Sequence, residues 1–241
     1  MSKIHIMLQG KGGVGKSFIS AVIAQYKRAK EQTPLCIDTV PVNGTFHGYK
    51  GLDVVKLDIM EEDQIDQGKF DALVELIAAN NGNDVVVDNG AASFIPLCHY
   101  LTSNKLAELL NNMGHELVIH TVVTGGQALQ DTVNGFSHLV SQFPGPAFFA
   151  VWLNPYWGPV EHDKLGFEQF KAYSDNKDRV SAILKMPQLA ELFRRDLSDM
   201  LQERLTFDEA LQMPSLTIMT RQRLKIIQSN FFQLLDSAVV L

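Results

Sequence analysis

The sequence is short of cysteine, of net positive charge and of long apolar runs, and each shortage removes a class of function. Two cysteines, Cys36 and Cys98, occur in 241 residues. Two thiols do not make the disulfide framework of a small secreted domain, and a bridge between them is not expected in a reducing compartment. Cys36 falls in a strand-like apolar run, where a small buried thiol is the ordinary outcome. No run of 18 or more apolar residues occurs, which argues against a membrane-spanning helix. The N-terminal residues open straight into a strand pattern without a signal-peptide layout, so the expected location is cytoplasmic. Net charge is −6, the wrong sign for a dedicated nucleic-acid-binding domain. The seven histidines show no metal-ligand spacing. His115-Glu116 and His120 are one residue too widely spaced for a zinc-protease helix, and they fall in a strand-like run. Repeats, low-complexity tracts and linkers are also absent, so residues 1–241 are expected to form one domain.

What remains is an ordinary globular composition, 46% hydrophobic and 20% charged, arranged as alternating strands and helices. Apolar runs predict strands at residues 4–8, 34–38, 52–57, 84–88, 116–123, 147–153 and 179–185. Helical spacing predicts helices at 17–32, 70–79, 96–113, 127–143, 161–173, 187–202, 207–212 and 215–238, with Gly114 ending the third and Pro187 in the first turn of the sixth. The expected fold class is therefore α/β, a mostly parallel sheet with helices on both faces. Ligands of such sheets sit at the carboxyl ends of the strands. In the last helix Arg221, Arg223 and Lys225 precede most of an apolar stripe of Leu224, Ile227, Phe231, Leu234 and Leu235. That order predicts packing on the domain rather than on a membrane. Arg194, Arg195 and Arg204 read as a solvated helix face.

Gly10-Lys11-Gly12-Gly13-Val14-Gly15-Lys16-Ser17 fits G-x-x-x-x-G-K-[ST]. It stands between a predicted strand and a predicted helix, the setting this phosphate-binding loop requires. The glycines let backbone N–H groups converge on phosphate oxygens, and the helix N-terminus adds partial positive charge. Residues Gly10 to Phe18 are the expected nucleotide-binding segment, with Lys16 on the β- and γ-phosphates and Ser17 on Mg²⁺. Asp38 and Asp88 each end a predicted strand and so should flank the loop. Asp88 suits an acid near Mg²⁺. Asp38 suits a second acid serving metal and catalysis.

The extra lysine, Lys11, makes Lys11 to Ser17 resemble the deviant Walker A motif of the ParA/MinD family. The resemblance implies a SIMIBI-like P-loop NTPase fold, ATP with Mg²⁺, and a nucleotide-dependent homodimer in which Lys11 reaches the phosphates of the partner subunit. Lys11, Lys16 and Asp38 are then the expected catalytic residues. It further implies that Asn154, just past a strand, reads the adenine edge, and that Met186 and Pro187 contact the base. Two departures matter. The family usually shows D-x-D-P where this chain has Asp38-Thr39-Val40-Pro41. Val40 can neither orient water nor take a proton, and loss of such a group slows a reaction by roughly 10²–10⁴-fold. ATP is therefore expected to bind but to turn over poorly. Beyond Asp88, Asn89-Gly90-Ala91-Ala92 lacks the usual Thr-Pro, leaving the Gly90 amide as a candidate γ-phosphate contact.

Further stretches resemble the TraL family of bacterial conjugative plasmids, among them Thr124-Gly125-Gly126-Gln127 and Trp152-Leu153-Asn154-Pro155-Tyr156-Trp157-Gly158-Pro159. This resemblance implies a role in conjugative DNA transfer, with transfer or secretion-machinery proteins as partners at the membrane or cell pole. Two other readings stay open from the residues: a P-loop kinase acting on a small molecule, and a partition-type, ATP-dependent DNA-binding protein, which the net charge disfavours.

Overall fold

The computed structural model describes residues 1–42, 44–80, 82–143 and 145–238. Seven strands form one sheet: β1 (Ser2–Met7), β2 (Leu35–Asp38), β3 (Val55–Lys56), β4 (Val85–Asp88), β5 (His115–Thr124), β6 (Ala147–Asn154) and β7 (Val180–Lys185). Their spatial order is β7-β6-β5-β1-β4-β2-β3, and every neighbouring pair is parallel. All strands therefore deliver their carboxyl ends to one edge.

Residues alternate across the pleat, so each strand feeds two cores. Ile6, Val87, Ile119 and Val151 face one side with α2 (Asp71–Ala79), α3 (Phe94–Ser103), α4 (Leu106–Asn112) and α5 (Leu129–Gln142). Met7, Val86, Val122 and Trp152 face the other with α1 (Lys16–Ala29). The short α6 (Lys171–Ser174) packs beside α5. The chain then closes on the α1 side with α7 (Glu191–Gln202), α8 (Phe207–Gln212) and α9 (Ile218–Asp236). Leu224, Ile227, Phe231 and Leu235 of α9 are buried there, as the order of charge and stripe predicts. Residues 239–241 of the uncharged tail lie outside the described residues.

Four predicted elements come out differently. Residues 161–173 are not a helix: Glu161–His162 and Leu165–Gly166 form a hairpin, followed by a 3₁₀ turn and α6. Asp163 and Lys164 both take left-handed φ (50° and 65°), the geometry of a two-residue hairpin turn. The predicted helix 96–113 starts earlier, at Phe94, and breaks into α3 and α4. Thr102 and Asn104 side chains hydrogen-bond the carbonyls of Cys98 and Tyr100, and Lys105 turns left-handed. The strand 52–57 shrinks to two residues because Lys50–Leu52 forms a 3₁₀ turn that buries Leu52. Pro187 lies outside α7, which starts at Glu191.

A thread of buried polar groups crosses the α1 face of the sheet. The Trp152 indole N–H donates to His120 Nδ1 at 3.0 Å. That places the His120 proton on Nε2, which lies 3.0 Å from His5 Nδ1. His5 Nε2 then carries a proton with no partner among the described residues. Burial drives both imidazoles toward the neutral form: His5 falls well below its ordinary range and His120 to about 3.

Candidate nucleotide site

Beyond β1 the chain makes the glycine loop and enters α1. Gly13 and Gly15 take φ of 72° and 99°, a region that strains any residue with a Cβ. Gln9 fastens the start of the loop. Its amide donates to the Val122 carbonyl at 2.8 Å and accepts the Lys11 amide at 3.2 Å. A Cβ on Gly135 of α5 would run into that amide, so this glycine makes the room.

Lys16 is buried, and its ammonium donates to the Lys11 carbonyl at 2.8 Å, closing the loop on itself. Burial lowers its pKa, opposed by the Asp88 charge. The Ser17 hydroxyl donates to Asp88 Oδ2 at 2.6 Å, and Ser20, one turn on, donates to Oδ1 at 3.1 Å. Asp88 is fully buried. Burial pushes its carboxyl up to about 7, with Asp38 adding to the rise and Ser17, Ser20 and Lys16 pulling it back. Ser17 and Asp88 thus converge two hard oxygen donors beside the phosphate loop. That donor set fits Mg²⁺, which keeps water and phosphate for its other positions.

Asp38 stands directly opposite Asp88 in the sheet register. Its two oxygens accept the Val40 amide at 2.8 Å and the His47 amide at 2.7 Å, so it also clamps the segment that follows β2. Val40 is half-buried and faces Gly90. Lys11 lies at the rim, half-exposed, with its ammonium 2.8 Å from Asp131 in the first turn of α5.

Next to the loop is a cavity of about 490 Å³. Phe18, Asn154, Met186 and Pro187 line it with Gly13 and Gly15, so the expected base-contacting residues do meet in one place. Phe18 stands edge-on to Phe231 of α9 at 5.1 Å. The structure gives Asn154 another task besides facing the cavity. Its side-chain N–H₂ donates to the Val14 carbonyl of the loop, and its oxygen accepts the Tyr156 amide, both at 3.0 Å. Gln188 and Arg194 also line the cavity, and among the described residues no carboxylate does. Sequence reasoning missed Ser20, Gln9 and Gln188. Ser20 is signalled only by its i+3 spacing from Ser17 on α1, and the other two by nothing local. Among the described residues no cluster of His, Cys, Asp or Glu has the makings of a separate metal site.

No family model matches the chain. Two Escherichia coli proteins named Protein TraL are 66% and 63% identical to it, each over the full length of both chains. Among solved structures, MinD of Aquifex aeolicus matches with a TM-score of 0.53 at 15% identity, covering 99% of this chain and 98% of that one. The MinC:MinD complex of the same organism gives 0.57 at 15% identity, covering 99% and 97%. A Borrelia burgdorferi protein described as a plasmid partition protein, bound to AMPPNP, gives 0.52 at 13% identity, covering 99% and 100%. At these identities the structural matches establish the fold, an α/β P-loop NTPase fold of the MinD and ParA kind.

Proposed function

The chain belongs to the TraL family, and from the site it carries we propose that it is an ATP-binding switch of the ParA/MinD type that dimerises on ATP and serves conjugative DNA transfer. The observation that carries this reading is the loop itself. It turns through left-handed glycines at Gly13 and Gly15, is backed by the Ser17–Asp88 pair, and bears a second lysine at its exposed rim.

Each group has a task. On ATP binding, Lys16 exchanges the Lys11 carbonyl for β- and γ-phosphate oxygens, and the loop amides take the remaining charge. Ser17 and Asp88 are the residues that would hold Mg²⁺, with Asp38 behind them; the bound ion neutralises charge on the phosphates. Adenine enters the cavity beside Phe18, Met186 and Pro187. Asn154 fixes the loop against β6, and Gln188, whose amide has both a donor and an acceptor, suits the adenine edge. Among the described residues no carboxylate lines the cavity, which leaves guanine's N–H groups without a charged acceptor and favours ATP. Lys11, rather than serving its own site, extends to the phosphates of a partner subunit. Val40 removes the water-orienting acid, so the ATP-bound dimer is long-lived and hydrolysis resets it slowly. Such a switch works in the cytoplasm and is recruited to the transfer machinery by its dimeric form. No helix of the described residues is long and apolar enough to cross a membrane.

Calorimetric titration of the chain with ATP, ADP and GTP, with and without Mg²⁺, tests the reading. It predicts Mg²⁺-dependent ATP binding, at least tenfold tighter than GTP. No binding of ATP would end it.

A further inference from the structure

Two stretches of the sequence lie outside the glycine loop: Gly125-Gly126 beyond β5, and residues 155–159 beyond β6, of which Pro155, Tyr156 and Gly158 also line the cavity beside the loop. In the structure they form one object. A Cβ on Gly125 would collide with the carbonyl oxygens of Gly158 and Pro159, and one on Gly126 with that of Trp157. Gly126 and Gly158 also take φ of 68° and 126°. Only glycine lets the second loop lie so close on the first. Seated in this way, the loop holds Tyr156 and Trp157 edge-to-face at 4.8 Å, with 58% and 62% of their surfaces exposed. A single exposed hydrophobic is ordinary, but these have company at the same sheet edge. Ile95, beyond β4, and Val42, beyond β2, are each 70% exposed. In the sheet order β6 lies two strands from β1 on one side, and β4 and β2 lie one and two strands away on the other, so these apolar groups fall on both sides of the nucleotide loop.

Between them stand Lys11 and Asp131, opposite charges side by side and half-exposed. A two-fold interface requires a self-complementary surface. Adjacent opposite charges inside an apolar surround meet that requirement, since two copies can exchange the pair. The aromatic loop is also tied to the nucleotide loop through one side chain, Asn154, which grips Val14 with one end of its amide and Tyr156 with the other.

Building on the ATP-switch reading, we infer that Tyr156 and Trp157 are the aromatic anchors by which a second copy of this chain docks, and that Asn154 transmits the state of the nucleotide loop to them. Phosphate drawn into the loop moves Val14, Asn154 follows its carbonyl, and the aromatic pair shifts with the Tyr156 amide. Rigid aromatic residues of this kind carry a large share of interface energy.

Trp157 supplies its own reporter, because the other tryptophan, Trp152, is fully buried. The full chain is titrated with a slowly hydrolysed ATP analogue and Mg²⁺. Binding is followed by calorimetry, mass by light scattering, and indole exposure by acrylamide quenching. The proposal predicts a dimer whose quenching constant falls about threefold or more. Trp157→Ser should bind the analogue within about twofold of the native chain yet dimerise at least tenfold more weakly. Ile95→Asp, on a separate element and at least as exposed, should weaken the dimer in the same way. A native dimer with unchanged quenching, or a Trp157→Ser chain that dimerises like the native one, overturns the proposal and leaves the ATP reading intact. A native chain that binds no analogue, or binds it and stays monomeric, overturns the switch reading and this inference with it.

Discussion

Replacing Val40 by aspartate restores the acid that the D-x-D-P pattern places in this loop. The Val40 amide is already fixed by Asp38 Oδ1, and its side chain lies in van der Waals range of Gly90, at 3.4 Å from where a Cβ would stand. A carboxylate there would face the loop beyond β4, next to the acids that flank the phosphate site. Asp38 and Asp88 make that corner acidic, so the new group's pKa would rise, which suits a base working near neutral pH. A positioned general base is worth roughly 10²–10⁴-fold, or about 3–5 kcal/mol of barrier. Giving up a half-buried valine costs about 1 kcal/mol of stability, which a domain of this size withstands. Val40→Asp should therefore fold, bind ATP as the native chain does, and release phosphate at least about 100-fold faster in a single-turnover assay with Mg²⁺. Rapid phosphate release by the native chain, unchanged by Val40→Asp, would refute the reasoning.

The buried histidines should each cost stability in acid. His120 has a folded pKa of about 3 against an ordinary 6.5. The unfolded chain therefore takes up a proton below about pH 6.5 that the folded chain refuses, and stability falls as pH drops from there toward 3. At pH 5 the loss from His120 is about 2 kcal/mol, and His5 adds a loss of the same sign. Asp88, raised to about 7, contributes the opposite sign over the same interval, so urea midpoints at pH 7 and pH 5 are compared in Asp88→Asn, which lacks that titration, and a flat profile there would contradict the buried neutral pair. Asp88→Asn should leave ATP binding in the absence of Mg²⁺ nearly intact but abolish the gain from Mg²⁺, seen by titrating both forms. Asn154→Ala should weaken ATP and GTP alike, by about tenfold, because it loosens the loop. Gln188→Ala should narrow the preference for ATP over GTP, and equal losses for both nucleotides would assign it no part in base choice.

The parallel order of the fold was legible because β-rich apolar runs alternated with helical spacing. The phosphate loop was legible because its chemistry is contiguous: strand, glycines, Lys16, Ser17 and helix follow one another. Readings failed where local side-chain hydrogen bonds competed with periodicity, as at Thr102 and Asn104, or where two left-handed residues folded back a segment with helical spacing, as at Asp163 and Lys164. The partners of the loop were illegible for another reason. Gln9 with Val122, Ser20 with Asp88 and Asn154 with Val14 lie up to 140 residues apart, and only the sheet order brings them together. Lys11 was singled out in the sequence, but its present partner, Asp131, came only from the packing of α5 beside β5.

The central claim is that ATP on this loop joins two chains and that Lys11 is needed from each. Light scattering of the native chain and of Lys11→Ala, with ATP and Mg²⁺ and again with ADP, tests it most directly. The account predicts twice the monomer mass for the native chain with ATP alone, and a monomer in every other case. A native chain that binds ATP and keeps the monomer mass, or a Lys11→Ala chain that dimerises as well as the native one, would contradict it.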